Sequence, residues 1–286
     1  MKVLIARHGG YCYGVQRALN IAHEAATGAS GTIHTLGPII HNPGVVRELA
    51  RAGVSPVESL MGIPRGSTII LRTHGVTPQV IADSRQGGLS IVDATCPYVK
   101  VAQEKASSLR EQGYLPVVLG EHEHPEVVSL LAHAGDKARV VENAEELDLR
   151  TVRGKSVGVV VQTTQASANL AELVKRLAPA CRSLLVHNTM CNATRKCQDE
   201  ALELARKADA VVVIGGRNSA NTTRLAQLCR QVQPRTFHIE DVGELKPEWF
   251  EQAATVAITA GASTPPEQME AAARWIEGIR SRRKSS

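Results

Sequence analysis

Three stretches of this chain read the same way. Each runs from a short β-branched strand into a cysteine and then into a helix: VLIARHGGYCYGV, LSIVDATCPYV and SLLVHNTMCNA, with cysteines at Cys12, Cys96 and Cys191. The same landmarks then follow each cysteine. A glycine opening a polar turn and a helix stands 25, 24 and 24 residues on, at Gly37, Gly120 and Gly215. An apolar residue followed by glutamate comes next (Val57-Glu58, Val141-Glu142, Ile239-Glu240), with the glutamates 46, 46 and 49 residues past the cysteines. A strand ending in polar or tiny residues closes each unit and brings His74, Thr163 and Ser263, at 62, 67 and 72 residues. Ordered landmarks at matched offsets mark an internal repeat, and each repeat is one supersecondary unit.

The elements inside each unit give its class. Short β-branched runs predict strands at Val3–Ala6, Thr68–Leu71, Ser90–Asp93, Pro116–Leu119, Val157–Val161, Leu184–His187, Ala210–Ile214 and Val256–Thr259. Helical periodicity covers Val15–Ala26, Val99–Glu111, Ala168–Leu177, Ala193–Ala208 and Glu267–Ser281. Alternating strands and helices predict mainly parallel sheets with crossover helices, an α/β fold. The units are large for a solenoid. The expectation is therefore three α/β units, 13–95, 96–190 and 191–286, arranged pseudo-threefold, with strand 1–12 joining the third. In open α/β sheets the residues past the carboxyl ends of strands line the ligand crevice, and the repeated polar positions fall there.

Aromatic residues make up only 3 % of the chain, so the core must rest on Val, Leu, Ile and Ala. The net charge of +5 allows a nucleic-acid partner, an anionic substrate or an acidic protein partner. The one dense basic run, Arg280–Lys284, reads as a solvated tail. No helix-turn-helix, zinc-finger or RNP pattern occurs, so no nucleic acid is expected. No apolar run reaches the ~18–20 residues of a membrane span. The start MKVLIARHGG lacks the apolar centre and cleavage site of a secretory signal. The expected location is the cytoplasm.

In that compartment cysteines more often bind metal, catalyse or fill cores than form disulfides. The repeat selects Cys12, Cys96 and Cys191 from six. Cys197 falls out of register, and Cys181 and Cys229 read as small buried apolar residues. Three converging thiolates can hold zinc, or three corners of an iron–sulfur cluster with one iron open as a Lewis acid. Around them the strand ends offer His41, Asn42, His74, His122, His124, Glu126, Thr163, Thr164, Asn218, Ser219, Asn221 and Ser263. Hydroxyls, amides and helix N-termini suit a phosphorylated ligand. Gly154-Lys155-Ser156 imitates the end of a P-loop, but Leu149 stands where the first glycine is required. The thiolates alone leave open a zinc-dependent lyase or a non-catalytic iron–sulfur sensor.

The motifs GYCYGVQRA at 10–18, GPIIHNPGVV at 37–46, THGV at 73–76, DATCP at 93–97, HEHPEV at 122–127, QTT at 162–164, MCNAT at 190–194, RNSANTTRL at 217–225 and TAGAS at 259–263 together resemble the 4-hydroxy-3-methylbut-2-enyl diphosphate reductase family, which closes the methylerythritol phosphate route to isoprenoids. The resemblance covers nearly the whole chain. It implies a three-unit α/β fold around one [4Fe–4S] cluster, held by Cys12, Cys96 and Cys191 with one iron open. It implies diphosphate binding by His41, His74, His124, Ser219, Asn221 and Ser263. It gives Glu126 the role of proton source, with Thr163 and Thr164 beside the substrate hydroxyl. The implied reaction removes the terminal hydroxyl of an allylic diphosphate with two electrons and two protons, yielding isopentenyl and dimethylallyl diphosphate. The implied electron donor is a ferredoxin or flavodoxin. The charge of a bound diphosphate is expected to raise the Glu126 pKa. One departure stands out: this chain has Ser219-Ala220 where the family usually carries two serines, so one hydroxyl is missing.

Overall fold

The structure, a computed structural model, describes residues 1–28 and 31–283, with side chains as far as 279. The side chains of the basic run Arg280–Lys284 lie outside that set. Three parallel four-stranded sheets run through the described residues. One holds β1 (Lys2–Ile5), β10 (Ala210–Ile214), β11 (Thr236–Ile239) and β12 (Thr255–Ala260) in the order β1-β12-β10-β11. The second holds β2 (Ile33–Leu36), β3 (Val54–Val57), β4 (Thr68–Leu71) and β5 (Ser90–Asp93) in the order β3-β2-β4-β5. The third holds β6 (Leu115–Leu119), β7 (Arg139–Val141), β8 (Ser156–Val161) and β9 (Ser183–His187) in the order β7-β6-β8-β9. Read from either end, the three orders are one topology. The α/β class and its repetition are thus as the sequence predicts.

The helices repeat as well. α1 (Tyr13–Gly28), α4 (Pro97–Glu111) and α7 (Asn192–Lys207) follow the edge strands β1, β5 and β9. α2 (Pro43–Arg51), α5 (Pro125–Ala134) and α8 (Ala220–Val232) follow β2, β6 and β10. α3 (Pro78–Gln86), α6 (Ser167–Leu177) and α9 (Pro266–Arg283) follow β4, β8 and β12. Several of these helices open on proline, whose fixed φ suits the first turn and whose missing N–H would have no partner there.

The described residues divide into two compact units. Met1–Val15, His41–Gly44 and Asn192–Ser286 form one, which holds the sheet of β1 and β10–β12. Gln16–Ile40 and Val45–Cys191 form the other, which holds the remaining two sheets. In the second unit β6 and β8 are buried on both faces, as Val117, Val118, Leu119, Val157, Val159, Val160 and Val161 show. Continuous apolar runs of this kind are the signature of parallel strands covered on both sides. Each such side chain contributes about 1.5–3 kcal/mol on burial. Gly158 interrupts β8 because a Cβ there would collide with Leu109 of α4. The two phenylalanines and two tryptophans gather in one place. Phe237 stacks on Trp249 at 4.3 Å, and Phe250 meets both and Trp275 edge-on, beside the β11 edge of the first unit. No helix among the described residues is long and apolar enough to cross a membrane.

Candidate active site

The backbone places the three repeat cysteines identically. Each sits just beyond an edge strand and just before a helix. The N–H of Cys12 donates to the Ala262 carbonyl at 3.2 Å, that of Cys96 to Thr73 at 3.0 Å, and that of Cys191 to Thr163 at 2.9 Å. The acceptor in each case lies two residues past the neighbouring strand, β12, β4 or β8. All three thiols are half-buried, and a helix N-terminus favours a thiolate. The remaining cysteines differ. Cys197 is buried, donates its S–H to the Ala260 carbonyl at 3.6 Å, and is pushed up to about 11 by burial. Burial pushes Cys229 to about 12. Cys181, expected to be buried, is half-buried against the β6–β9 core.

Two further repeats explain the other landmarks. The N–H groups of Gly37, Gly120 and Gly215 donate to the carbonyls of Val57, Val141 and Ile239, the last residues of the edge strands β3, β7 and β11. The glutamates that follow two of those strands hold the adjoining turn. Glu142 accepts the His122 N–H at 3.0 Å, and Glu240 accepts the Arg217 N–H at 2.7 Å. In the second and third repeats the apolar–Glu landmark is therefore a structural clasp at the base of the polar turn.

The second unit carries the acid. Glu126, in the first turn of α5, is 1 % exposed. Its Oε1 accepts the Thr163 N–H at 2.6 Å, and its Oε2 accepts the Thr163 hydroxyl at 2.8 Å. Burial raises its pKa to about 7 against the pull of those two hydrogen bonds, with the nearby Glu121 charge adding to the rise. Burial, with the Glu121 charge, thus raises the Glu126 pKa in the protein itself, a shift that the sequence assigned to a bound diphosphate. Thr163 also offers the carbonyl that anchors Cys191. The next hydroxyl oxygen, that of Thr164, is buried with no protein partner among the described residues. His124 caps α5 by accepting the Glu126 N–H on Nδ1 at 3.1 Å. Its ring meets His74 edge-on at 5.3 Å between centroids.

The first unit gathers hydroxyls and amides. Asn42 accepts the Gly44 N–H on Oδ1 at 3.0 Å and donates from Nδ2 to the Ser263 carbonyl at 3.0 Å. Ser263 Oγ reaches the His41 carbonyl at 3.5 Å. The same carbonyl lies against Gly216, where a Cβ would stand 2.9 Å from it. Ser219 caps α8 at the end of that turn, and Asn221 is buried in the first turn of α8.

The structure shifts two sequence registers. Thr73, Thr163 and Ala262 are the equivalent cysteine acceptors, so the partner of His74 and Ser263 is Thr164 rather than Thr163. The residue before α2 is Asn42, so Asn42, not His41, matches His124 and Ser219. The first loop runs one residue longer than the other two, which displaces His41 by one. Sequence reasoning also passed over Glu200 of α7. Burial opposes its charge, yet the Arg7 and His8 N–H groups hold its pKa below the usual carboxylate range. They reach it at 3.0 and 2.8 Å and fix the segment leading to Cys12.

Comparison with known proteins gives a family and solved structures of similar fold. A family model described as LytB protein matches residues 3–277. The 4-hydroxy-3-methylbut-2-enyl diphosphate reductase of Pelobacter propionicus is 49 % identical over 265 residues, covering 93 % of this chain and 94 % of that protein. The protein of the same name from Geotalea uraniireducens is 44 % identical over 279 residues, 98 % of each chain. A solved (E)-4-hydroxy-3-methyl-but-2-enyl diphosphate reductase, called the terminal enzyme of the non-mevalonate pathway, is 40 % identical with a TM-score of 0.71, over 97 % of this chain and all of that one. The E-1-hydroxy-2-methyl-but-2-enyl-4-diphosphate reductase of Plasmodium falciparum is 25 % identical with a TM-score of 0.87, over 96 % and 87 %. With a match that runs nearly from end to end, the chain belongs to the LytB protein family.

Proposed function

We propose that this chain is an oxidoreductase that converts 4-hydroxy-3-methylbut-2-enyl diphosphate to isopentenyl and dimethylallyl diphosphate, closing the methylerythritol phosphate pathway in the cytoplasm. The observation that carries the reading is the Glu126–Thr163–Cys191 connection. One residue, Thr163, joins a buried acid to the backbone of a repeat cysteine.

Cys12, Cys96 and Cys191 fit a [4Fe–4S] cluster with three thiolate ligands. Their common backbone setting, partial exposure and helix-start positions suit soft thiolate ligands. The high thiol pKa values of Cys197 and Cys229 argue against either as a fourth. When bound, such a cluster supplies single electrons and one iron with Lewis acidity. The three units 13–95, 96–190 and 191–286, with 1–12 beside the third, belong to this reading and are supported by the shared strand order.

The protein's own groups do the rest. Helix starts and neutral donors at His41, His74, His124, Ser219, Asn221 and Ser263 bind the diphosphate. Because burial disfavours its anion, Glu126 keeps its proton in a substantial share of the molecules at neutral pH. In that form its O–H donates to Thr163 Oγ1, which frees the Thr163 O–H to point toward the departing hydroxyl. Thr164, whose oxygen has no partner among the described residues, orients the same group. Hydroxide leaves poorly, and a delivered proton turns it into water. Electrons come from a ferredoxin or flavodoxin, whose acidic surface suits a chain of net charge +5.

Anaerobic steady-state kinetics on Glu126→Gln test the assignment. Gln keeps the shape but carries no transferable proton. The expected outcome is full iron content with turnover lowered ~10²-fold or more. Activity within a few-fold of wild type at full iron content would remove Glu126 as the proton source.

A further inference from the structure

We infer that Thr222 is a positioning residue for anion binding: its hydroxyl makes Ser219 an obligate hydrogen-bond donor toward the diphosphate. The inference rests on the proposed role of Ser219 and deepens it.

A serine hydroxyl has two acceptor lone pairs and one O–H. On Ser219 both lone pairs face Thr222. Ser219 Oγ accepts the Thr222 N–H at 3.4 Å and the Thr222 hydroxyl at 3.1 Å. The capacity left to Ser219 is its own O–H. Ionised phosphate oxygens only accept hydrogen bonds, so this is the polarity that an anionic ligand needs. Without the second bond one Ser219 lone pair is free, and the hydroxyl can rotate so that this lone pair rather than the O–H faces the anion.

Thr222 is itself held in place. It is fully buried. Its Oγ1 sits where a Cβ on Gly261 would collide with it, and 2.9 Å from where a Cβ on Gly215 would stand. Two glycines from the ends of neighbouring strands thus form a seat for one hydroxyl. The adjacent Ala220 brings no hydroxyl of its own, so the orientation of Ser219 governs what this turn can offer an anion. Thr222 supplies direction to the hydroxyl that remains and does not replace the one that is missing.

The test is titration calorimetry of inorganic diphosphate into the anaerobic, iron-loaded protein. Thr222→Ser keeps the hydroxyl, whereas Thr222→Ala loses it with no added bulk. Ser219→Ala and the double variant Ser219→Ala/Thr222→Ala complete a cycle, and melting temperatures are recorded for all. Thr222→Ser is expected to bind within about twofold of wild type, and Thr222→Ala about three- to tenfold more weakly, the scale of one hydrogen bond. The double variant is expected to bind no more weakly than Ser219→Ala. Equal binding by Thr222→Ser and Thr222→Ala would overturn the inference. So would a loss from Thr222→Ala that persists in the Ser219→Ala background, since Thr222 would then act through folding. Unchanged binding in Ser219→Ala itself would instead remove Ser219 from the anion site, and with it the role of Thr222.

Discussion

A carboxyl group sealed inside a protein resists ionisation, and Glu126 should write that resistance into the stability of the whole chain. Below the ordinary carboxylate pKa of 4.5, folded and unfolded states both carry the proton and Glu126 brings no penalty. As pH rises toward about 7, the unfolded chain releases a proton that the folded one keeps, so folding weakens. Above about 7 the loss levels off, at a total on the order of 3 kcal/mol. Glutamine carries none of this. Glu126→Gln should therefore gain stability over wild type as pH climbs from 5 to 8, with little difference near pH 4. Urea denaturation across that range measures it, and a gap independent of pH would place the Glu126 pKa near its ordinary value. The sequence points to Glu126 through HEHPE at a strand-to-helix turn. It cannot point to Thr163 as the group that grips both carboxylate oxygens, because the pair is 37 residues apart and meets only when β6 and β8 lie side by side. Thr222 is hidden for the same reason: its neighbours Gly215 and Gly261 come from two different strand ends.

At the scale of elements, His124 has two jobs, and they can be separated. Its Nδ1 caps α5, while its ring faces His74. Asparagine can cap a helix and alanine cannot. His124→Asn should keep wild-type stability, whereas His124→Ala loses about 1 kcal/mol. Both should bind inorganic diphosphate less tightly. Thermal melts and calorimetry on the two variants distinguish cap from ligand, and wild-type binding by His124→Asn would leave His124 a cap alone. The longer strands were legible because β6, β8, β10 and β12 are buried apolar runs. The strands β2, β3, β7 and β11 were not. They are three or four residues long, and β3, β7 and β11 are edges, where His238, Pro56 or Arg139 can sit without disturbing a core. The Val-Glu and Ile-Glu pairs did mark where those edges end, although their meaning as a clasp for the Gly turn appears only with the hydrogen bonds in view. Among the helices, α3 escaped because nine residues carry little periodicity.

For the molecule as a whole, the six thiols should fall into two classes of reactivity. In metal-free folded protein at about pH 8, iodoacetamide should reach the half-buried Cys12, Cys96, Cys181 and Cys191 first. Cys197 and Cys229 should lag by ~10-fold or more, being buried and nearly free of thiolate at that pH. Peptide mapping by mass spectrometry reads the order, and equal rates would mean that the first unit opens before it reacts. The pairing of β1 with β12 has its own consequence for how the chain is made. Lys2–Ile5 leaves the ribosome long before its partner Thr255–Ala260. Until then β1 has no neighbour in its sheet, and the Cys12 N–H lacks the Ala262 carbonyl that anchors it. The two sheets of residues 33–187 can form during synthesis, since domains generally fold as they emerge. The sheet that seats Cys12 has to wait for the strand Thr255–Ala260, so the proposed cluster, which draws on thiolates from both units, can be installed only once that strand has emerged.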